Sequence, residues 1–371
     1  MLAPEEEAEA ETGEGKGMEE LPSHLPDVKF FDFVFGKDLG SGSFATVRYA
    51  KLIKKESSLS QWQEFALKQV DLDLVREQEY EANIKREVDV MQALRHPNIC
   101  RLLGSFQYKS SLFLVLEYCS KGDLHSHLVR LGSLDETTGR FIAGELVAGL
   151  AAVHAAGAVY GDLKPENVLV HGSGHVKLSD FGSARWLREL GDTDRMEGTA
   201  EYLAPELVRG GAQSIATDMW ALGCVLYQIF AGRPPLWAEQ QGDLFSQIVH
   251  FKIEDAFPAD FPAEARDLVC QLLSADPHDR PNCARVAEHP FFDGVDVFEL
   301  HRAPAPRLAA GTVAAQPDKA WNRRKNSMMW APMPDKFDFE AAAASLTAIA
   351  ETRAESAAPW TPAGSLGVVP E

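Results

Sequence analysis

Six short motifs in one fixed order constrain this chain more than any bulk property. They are Leu39-Gly40-Ser41-Gly42-Ser43-Phe44-Ala45-Thr46-Val47, then Ala66-Leu67-Lys68, then Glu87, then Asp162-Leu163-Lys164-Pro165-Glu166-Asn167, then Asp180-Phe181-Gly182, then Ala204-Pro205-Glu206. Short strand-like runs surround the early motifs: Phe33 to Gly36, Thr46 to Ala50, Glu64 to Lys68, and the buried run Leu112 to Leu116. Ile84, Val88, Met91 and Leu94 recur at helical spacing within Tyr80 to Leu94. From Thr138 onward helical patterns dominate, as in Phe141 to His154 and Met219 to Phe230. A strand-rich beginning followed by a helix-rich remainder predicts an α+β chain of two lobes.

The 371 residues suffice for one large bilobal domain with tails, and a net charge of -19 argues against a nucleic-acid binder, which needs a basic face. Much of the acidity lies in Glu5, Glu6, Glu7, Glu9, Glu11 and Glu14. Residues 1–32 read as an acidic disordered tail. Residues 33–292 read as the folded domain, with a small lobe at 33–116 and a large lobe at 120–292. Residues 293–371 read as a mostly disordered extension, with a Pro- and Ala-rich linker from Arg302 to Gln316 and a short helix from Phe339 to Ala354. The five scattered cysteines form no Cys-x-x-Cys pair and read as reduced thiols of a cytoplasmic protein, with nuclear access open. No apolar run has the length of a membrane span, and the start shows neither a signal peptide nor a myristoylation Gly.

The motifs carry specific chemistry. Gly40 and Gly42 let backbone approach a polyphosphate, although Ala45 stands where a third Gly is usual. Lys68 lies in an apolar strand, where a cation is costly unless paired, and Glu87 on the next helix is its expected partner. Asp162 is the candidate general base, with Lys164 beside it to stabilise a transferring phosphoryl group. Asn167 and Asp180 offer hard oxygen ligands suited to Mg2+.

In this order the motifs resemble those of protein kinases. The resemblance implies the bilobal kinase fold, with ATP and Mg2+ as cofactors and Asp162, Lys164, Lys68 and Glu87 as catalytic residues. It implies that Leu39 to Ala45 and Val47 cover the nucleotide, that Ala66 lies on the adenine face, and that Leu116 is the gatekeeper. The hinge would run through Glu117, Tyr118 and Cys119, with Asp123 at the ribose, Glu166 at the nucleotide and Thr199 at the substrate side. Lys164 within Asp-Leu-Lys-Pro-Glu-Asn points to Ser/Thr acceptors. Glu206 has Arg280 as its expected partner, and Asp218 to Gly223 matches the helix that anchors the large lobe.

From about Phe33 to Leu308 the chain is most similar to the AGC group of Ser/Thr kinases, and within it to the phosphoinositide-dependent protein kinases. The telling segments are Phe33 to Lys37, Lys85 to Met91, Gly198 to Leu207, Trp220 to Gly232 and Ala265 to Val269. The resemblance implies phosphorylation of activation-loop Thr or Ser in other AGC kinases. Those clients would dock a hydrophobic motif in a small-lobe pocket built on Val75, Ile84 and Leu112 with Gln107 at its rim. The chain departs from the pattern in four places. Gly161 replaces the Arg before Asp162, and Arg195 replaces the usual phosphoacceptor. These two losses agree, and predict an activation segment held without phosphate, with Asp194 or Glu197 as partner of Arg86; Thr193 is a nearby substitute acceptor. Val88 stands where a phosphate-binding Arg is usual, so an unphosphorylated or acidic motif is expected to dock. The residues beyond Leu308 are too few for a pleckstrin-homology sandwich, so no specific phosphoinositide binding is expected. Another AGC kinase with different substrates, or a pseudokinase scaffold, are the alternatives. Arg324-Lys325-Asn326-Ser327 resembles a basophilic phosphosite, but reads more simply as a solvated basic patch. Phe337-Asp338-Phe339 reads as helix-start packing or disorder rather than as a ligand of the pocket.

Overall fold

Alternation along the strands builds the small lobe. In the computed structural model, which describes residues 24, 25, 27–55, 57–191, 198–253, 257–317 and 319–322, β1 (Phe33–Ser41), β2 (Ala45–Leu52) and β3 (Glu64–Asp71) pair antiparallel. Two helices follow, α1 (Leu72–Glu77) and α2 (Glu81–Ala93), then β4 (Leu102–Tyr108) and β5 (Ser111–Glu117). The sheet runs β1-β2-β3-β5-β4. Because side chains alternate across a strand, Phe65 and Leu67 face an outer cluster with Phe33, Phe113 and Val115, while Ala66 and Val70 face the main core. Lys68 shares the Ala66 face, so the same period turns its ammonium inward. Asp71 caps α1 by accepting from the Asp73 and Leu74 amides at 2.9 and 3.1 Å.

The large lobe begins with α3 (Leu124–Leu131) and α4 (Glu136–Ala155). Short paired strands carry the catalytic-loop region: β6 (Ala158–Val159), β7 (Val168–Val170), β8 (Val176–Leu178) and β9 (Arg185–Trp186), joined as β6 with β9 and β7 with β8. Helices α5 (Pro205–Val208), α6 (Ile215–Ala231), α7 (Gln241–Val249), α8 (Ala263–Leu272) and α9 (Cys283–Ala287) complete it. Helix α6 is apolar all round and nearly wholly buried, as a central core helix must be. Gly232 ends it in the left-handed conformation, φ 70°.

Two segments differ from the expectation of tails. Leu25 and residues 27–32 lie against the small lobe: the Leu25 amide donates to Leu103 O at 2.6 Å, and Phe30 stacks on Tyr108 with centroids 4.2 Å apart. Residues 297–302 pack Val297 and Leu300 against α4, and Ala310 bridges to Leu134. The stretch read as a linker is therefore held, largely by backbone hydrogen bonds that leave no hydrophobic periodicity in the sequence. The acidic residues before Leu21, Thr193, Asp194, Arg195 and Glu197, and the features from Arg324 to Ala354 lie outside the described residues.

Candidate active site

The cleft is assembled from elements of both lobes. Lys68 on β3 meets Glu87 on α2 at 2.5 Å and Asp180 at 3.3 Å. Glu87 is one helical turn from Ile84 and Met91, and this places it on the buried face of α2. Burial opposes the Lys68 charge, but the Glu87 and Asp180 carboxylates outweigh it and raise the ammonium pKa. Burial likewise works against ionised Asp180; Lys68 and Lys164 reverse this and hold it below the usual carboxylate range. Asp180 has φ 52°, a left-handed conformation that is costly for a residue with a Cβ. The following Phe181 is fully buried, edge-to-face on Tyr160 with centroids 5.1 Å apart.

The catalytic loop forms a closed network. Lys164 Nζ donates to Asp162 Oδ2 and to Thr199 Oγ1, both at 2.7 Å. Thr199 Oγ1 donates to Asp162 Oδ1 at 2.9 Å. Asn167 Nδ2 donates to the Asp162 carbonyl at 2.9 Å and to Oδ2 at 3.0 Å. That use of its amide nitrogen leaves the Asn167 Oδ1 oxygen as an acceptor; with ionised Asp180 it makes two oxygen donors of the kind a hard divalent cation takes.

The rest of the nucleotide side is placed as follows. Val47, Lys68, Glu87, Leu116 and Asp180 line one cavity, together with Met91, Cys100 and Ser179, which the motifs did not single out. Leu39, Ala45, Ala66, Tyr118 and Cys119 are buried in the same core cluster as Val47 and Leu116. Gly40 pairs with Val47 and Ser41 with Thr46, and Gly42 and Ser43 form the exposed tip between β1 and β2. Phe44 turns from that tip onto Tyr80, ring centroids 5.0 Å apart. The Glu117 amide donates to Arg101 O at 3.0 Å, and its carbonyl accepts from the Cys100 thiol at 3.5 Å. Asp123, expected at the ribose, is fully buried and caps α3: Oδ1 accepts from the Ser126 amide at 2.7 Å and Oδ2 from the Ser126 hydroxyl at 3.1 Å. The reason is local, since an Asp directly before a helix satisfies its orphan amides.

A second set of residues orients the loop. Asp218, in the first turn of α6, accepts from the Tyr160 and Gly161 amides, each at 2.8 Å, and lies 2.8 Å from His154 Nε2. Burial alone would lower the His154 pKa, but hydrogen bonds to Asp218 and Cys283 push it up to about 10. A carboxylate within so apolar a helix was the signal that could have found this cluster, because it needs buried donors. Gly161 has φ 81°, and a Cβ there would fall 2.7 Å from Ser183 O and 2.9 Å from Gln213 Nε2. The position thus suits Gly both in conformation and in space. Arg86 lies 3.7 Å from Glu189 Oε2. Glu206 takes Arg280 in a bidentate pair at 2.6 and 2.8 Å.

Outside the cleft, Val75, Ile84 and Leu112 line an apolar cavity of about 410 Å³ on the small lobe, with Leu72, Val88, Arg76, Lys85 and Ser105. Gln107 is not among its lining residues: it points to solvent and donates to Lys109 O at 3.1 Å, drawn to the β4–β5 turn instead.

The family model described as "Protein kinase domain" matches residues 33–292. The chain is 36% identical over 321 residues to human 3-phosphoinositide-dependent protein kinase 1, covering 84% of this chain and 56% of that protein. It is 36% identical over 321 residues to the human putative 3-phosphoinositide-dependent protein kinase 2, covering 84% of this chain and 79% of that one. Against 3-phosphoinositide-dependent protein kinase 1 of Arabidopsis thaliana the identity is 36% over 294 residues, covering 75% and 58%. The chain thus spans little more than half the length of two of these relatives. It belongs to the protein kinase family, as an ATP-using serine/threonine kinase of the AGC group with a 3-phosphoinositide-dependent-kinase-like domain.

Proposed function

We propose that this kinase transfers the γ-phosphate of ATP to activation-loop Thr or Ser residues of other AGC-type kinases. The observation that carries this reading is the small-lobe cavity, apolar and remote from the nucleotide cleft. A volume of about 410 Å³ accommodates aromatic side chains of a client segment, and such anchors dominate binding energy. Val88 in its wall offers no charge to a phosphate, while Arg76 and Lys85 also line the cavity, so an unphosphorylated or acidic motif is the expected ligand in this reading. In this reading Lys68 holds the α- and β-phosphates, Asn167 and Asp180 hold Mg2+, Asp162 orients and deprotonates the acceptor hydroxyl, and Lys164 follows the charge on the transferred group. Mg2+, when bound, neutralises charge on the phosphates. Filling the cavity tests the docking. Ser105 is exposed at its edge, so Ser105→Trp blocks it without touching the core. Transfer to an intact AGC kinase should fall by about 30-fold, the equivalent of one lost anchor, with transfer to a short peptide unchanged. Equal loss on both substrates would refute docking there.

The activation segment of this kinase is held, in this reading, without its own phosphate. The Arg86–Glu189 contact and the Gly161 backbone support it: an acid from the protein faces Arg86 of α2, and no Arg precedes Asp162 to receive a phosphate. Phosphatase-treated enzyme should keep its activity, and a large loss would sink the idea.

A further inference from the structure

Residues 309–317 and 319–322 form a strap across the large lobe. The Ala309 carbonyl accepts from the Asp135 amide at 3.1 Å, the Gly311 amide donates to Ser133 O at 2.9 Å, and the Ser133 amide donates to Val313 O at 3.1 Å. Ser133 is fully buried, and its hydroxyl accepts from the Val313 amide at 3.1 Å. The seat fits bare backbone: a Cβ on Gly132 would overlap the Val313 carbonyl, and one on Gly311 the Leu134 carbonyl. Buried hydrogen bonds are costly to leave unmade, so this part of the strap is anchored.

The strap ends at the catalytic loop. Trp321 packs edge-to-face on Trp237, ring centroids 5.9 Å apart. Asn322 sets its carbonyl 3.3 Å from Nε2 of the buried His125, and its own Nδ2 donates to Gln316 O at 2.5 Å. The other His125 nitrogen lies 3.4 Å from Glu166 Oε1, so one imidazole ring separates the strap from the Asp162–Asn167 loop. Glu166 Oε2 is buried with no hydrogen-bond partner among the described residues. The corner is acidic: the Tyr202 hydroxyl is pushed up by burial and then by Glu166 and Glu201, among its neighbours. A buried carboxylate oxygen calls for a donor. The strap supplies none: Asn322 brings an acceptor, and Trp321 Nε1 is itself buried without a partner.

We propose that the end of the strap is a specificity element of the peptide groove. Trp321 and Asn322 close the Glu166 corner, and so exclude the cationic side chains of short basic peptides. When this end lifts, Glu166 Oε2 takes such a cation in a charge-assisted hydrogen bond. With the corner closed, basic flanks add nothing to binding, and selection falls to contacts made elsewhere by larger protein substrates. Only the last residues of the strap move, because the Ser133 and Asp135 anchors lie upstream of them. This rests on the reading of the Asp162 loop as the transfer site.

The test uses the full chain and two short peptides with one acceptor Thr, the first flanked by arginines and the second by alanines in their place. Trp321→Ala should lower KM for the Arg peptide at least about tenfold, the worth of one charge-assisted hydrogen bond. The change should sit in KM rather than kcat and spare the Ala peptide. Trp237→Ala opens the same contact from the other side and should reproduce the effect, with the double variant gaining no more than either single one. Trp321→Phe keeps an aromatic edge on Trp237 and should behave as the parent. An unchanged ratio of the two KM values in both single variants would overturn the proposal. So would an equal fall for both peptides, since a plain steric block does not distinguish charge. No transfer to either peptide or to a protein client would instead overturn the transfer-site reading, and the proposal with it.

Discussion

Asp162→Asn should lower phosphoryl transfer by about 10²- to 10⁴-fold, the usual range for a lost general base, with little change in nucleotide affinity. The native carboxylate is saturated with donors: Thr199 on Oδ1, and Lys164 and Asn167 on Oδ2. An Asn amide presents an N–H₂ group to one side of that shell, where a donor would face a donor. It also removes the charge that, against the effect of burial, raises the Lys164 pKa. Lys68, Glu87 and the cavity walls lie apart from the substitution, so the ATP site itself is retained. Single-turnover transfer of labelled phosphate to a peptide, beside an ATP titration, checks both halves. A variant within tenfold of the parent would show that Asp162 only positions the loop.

Glu206→Ala should cost about 3–5 kcal/mol of stability, the penalty for stranding a buried charge. The Arg280 side chain is fully buried, at 0% exposure, and stacks over Trp220 with its guanidinium carbon 5.0 Å from the ring centroid. Its remaining partners are the carbonyls of Ser274 and Ala216, each at 2.9 Å, which solvate a cation but do not neutralise it. Glu206 lies in α5, directly after the Thr199–Tyr202 segment, so the same change should loosen Thr199 and lower transfer. Denaturant unfolding measures the first effect. A change below about 1 kcal/mol would mean that the pair behaves as an exposed one.

Much of this arrangement was legible in the sequence because it violates simple patterning. Lys68 and Glu87 are charges at core positions, and Arg280 and Glu206 are another such pair; each announces its need for a partner. The strands were legible from alternation, although β1 and β2 extend beyond the runs first marked, because Gly40 and Ser41 still pair across the sheet. Other features left weaker traces. Asp123 carries the same carboxylate whether it faces a ribose or caps a helix, and only the Ser126 amide decides. Gln107 shares a strand with Ser105, yet Ser105 lines the cavity and Gln107 turns away. Residues 302–316 were read as a linker because backbone hydrogen bonds to Ser133 and Asp135 require no side-chain pattern. The partner of Arg86 was sought at Asp194 or Glu197, whereas Glu189 is the acid beside it among the described residues.

The most direct test is to incubate the kinase with Mg-ATP and a catalytically dead AGC kinase, beside the Asp162→Asn control, and to map phosphosites by mass spectrometry. Phosphate on the activation-loop Thr of that client, absent with the control, is the predicted result. Phosphorylation of basic peptides without that Thr would contradict the proposed client class, and no Asp162-dependent transfer would contradict the catalytic assignment itself.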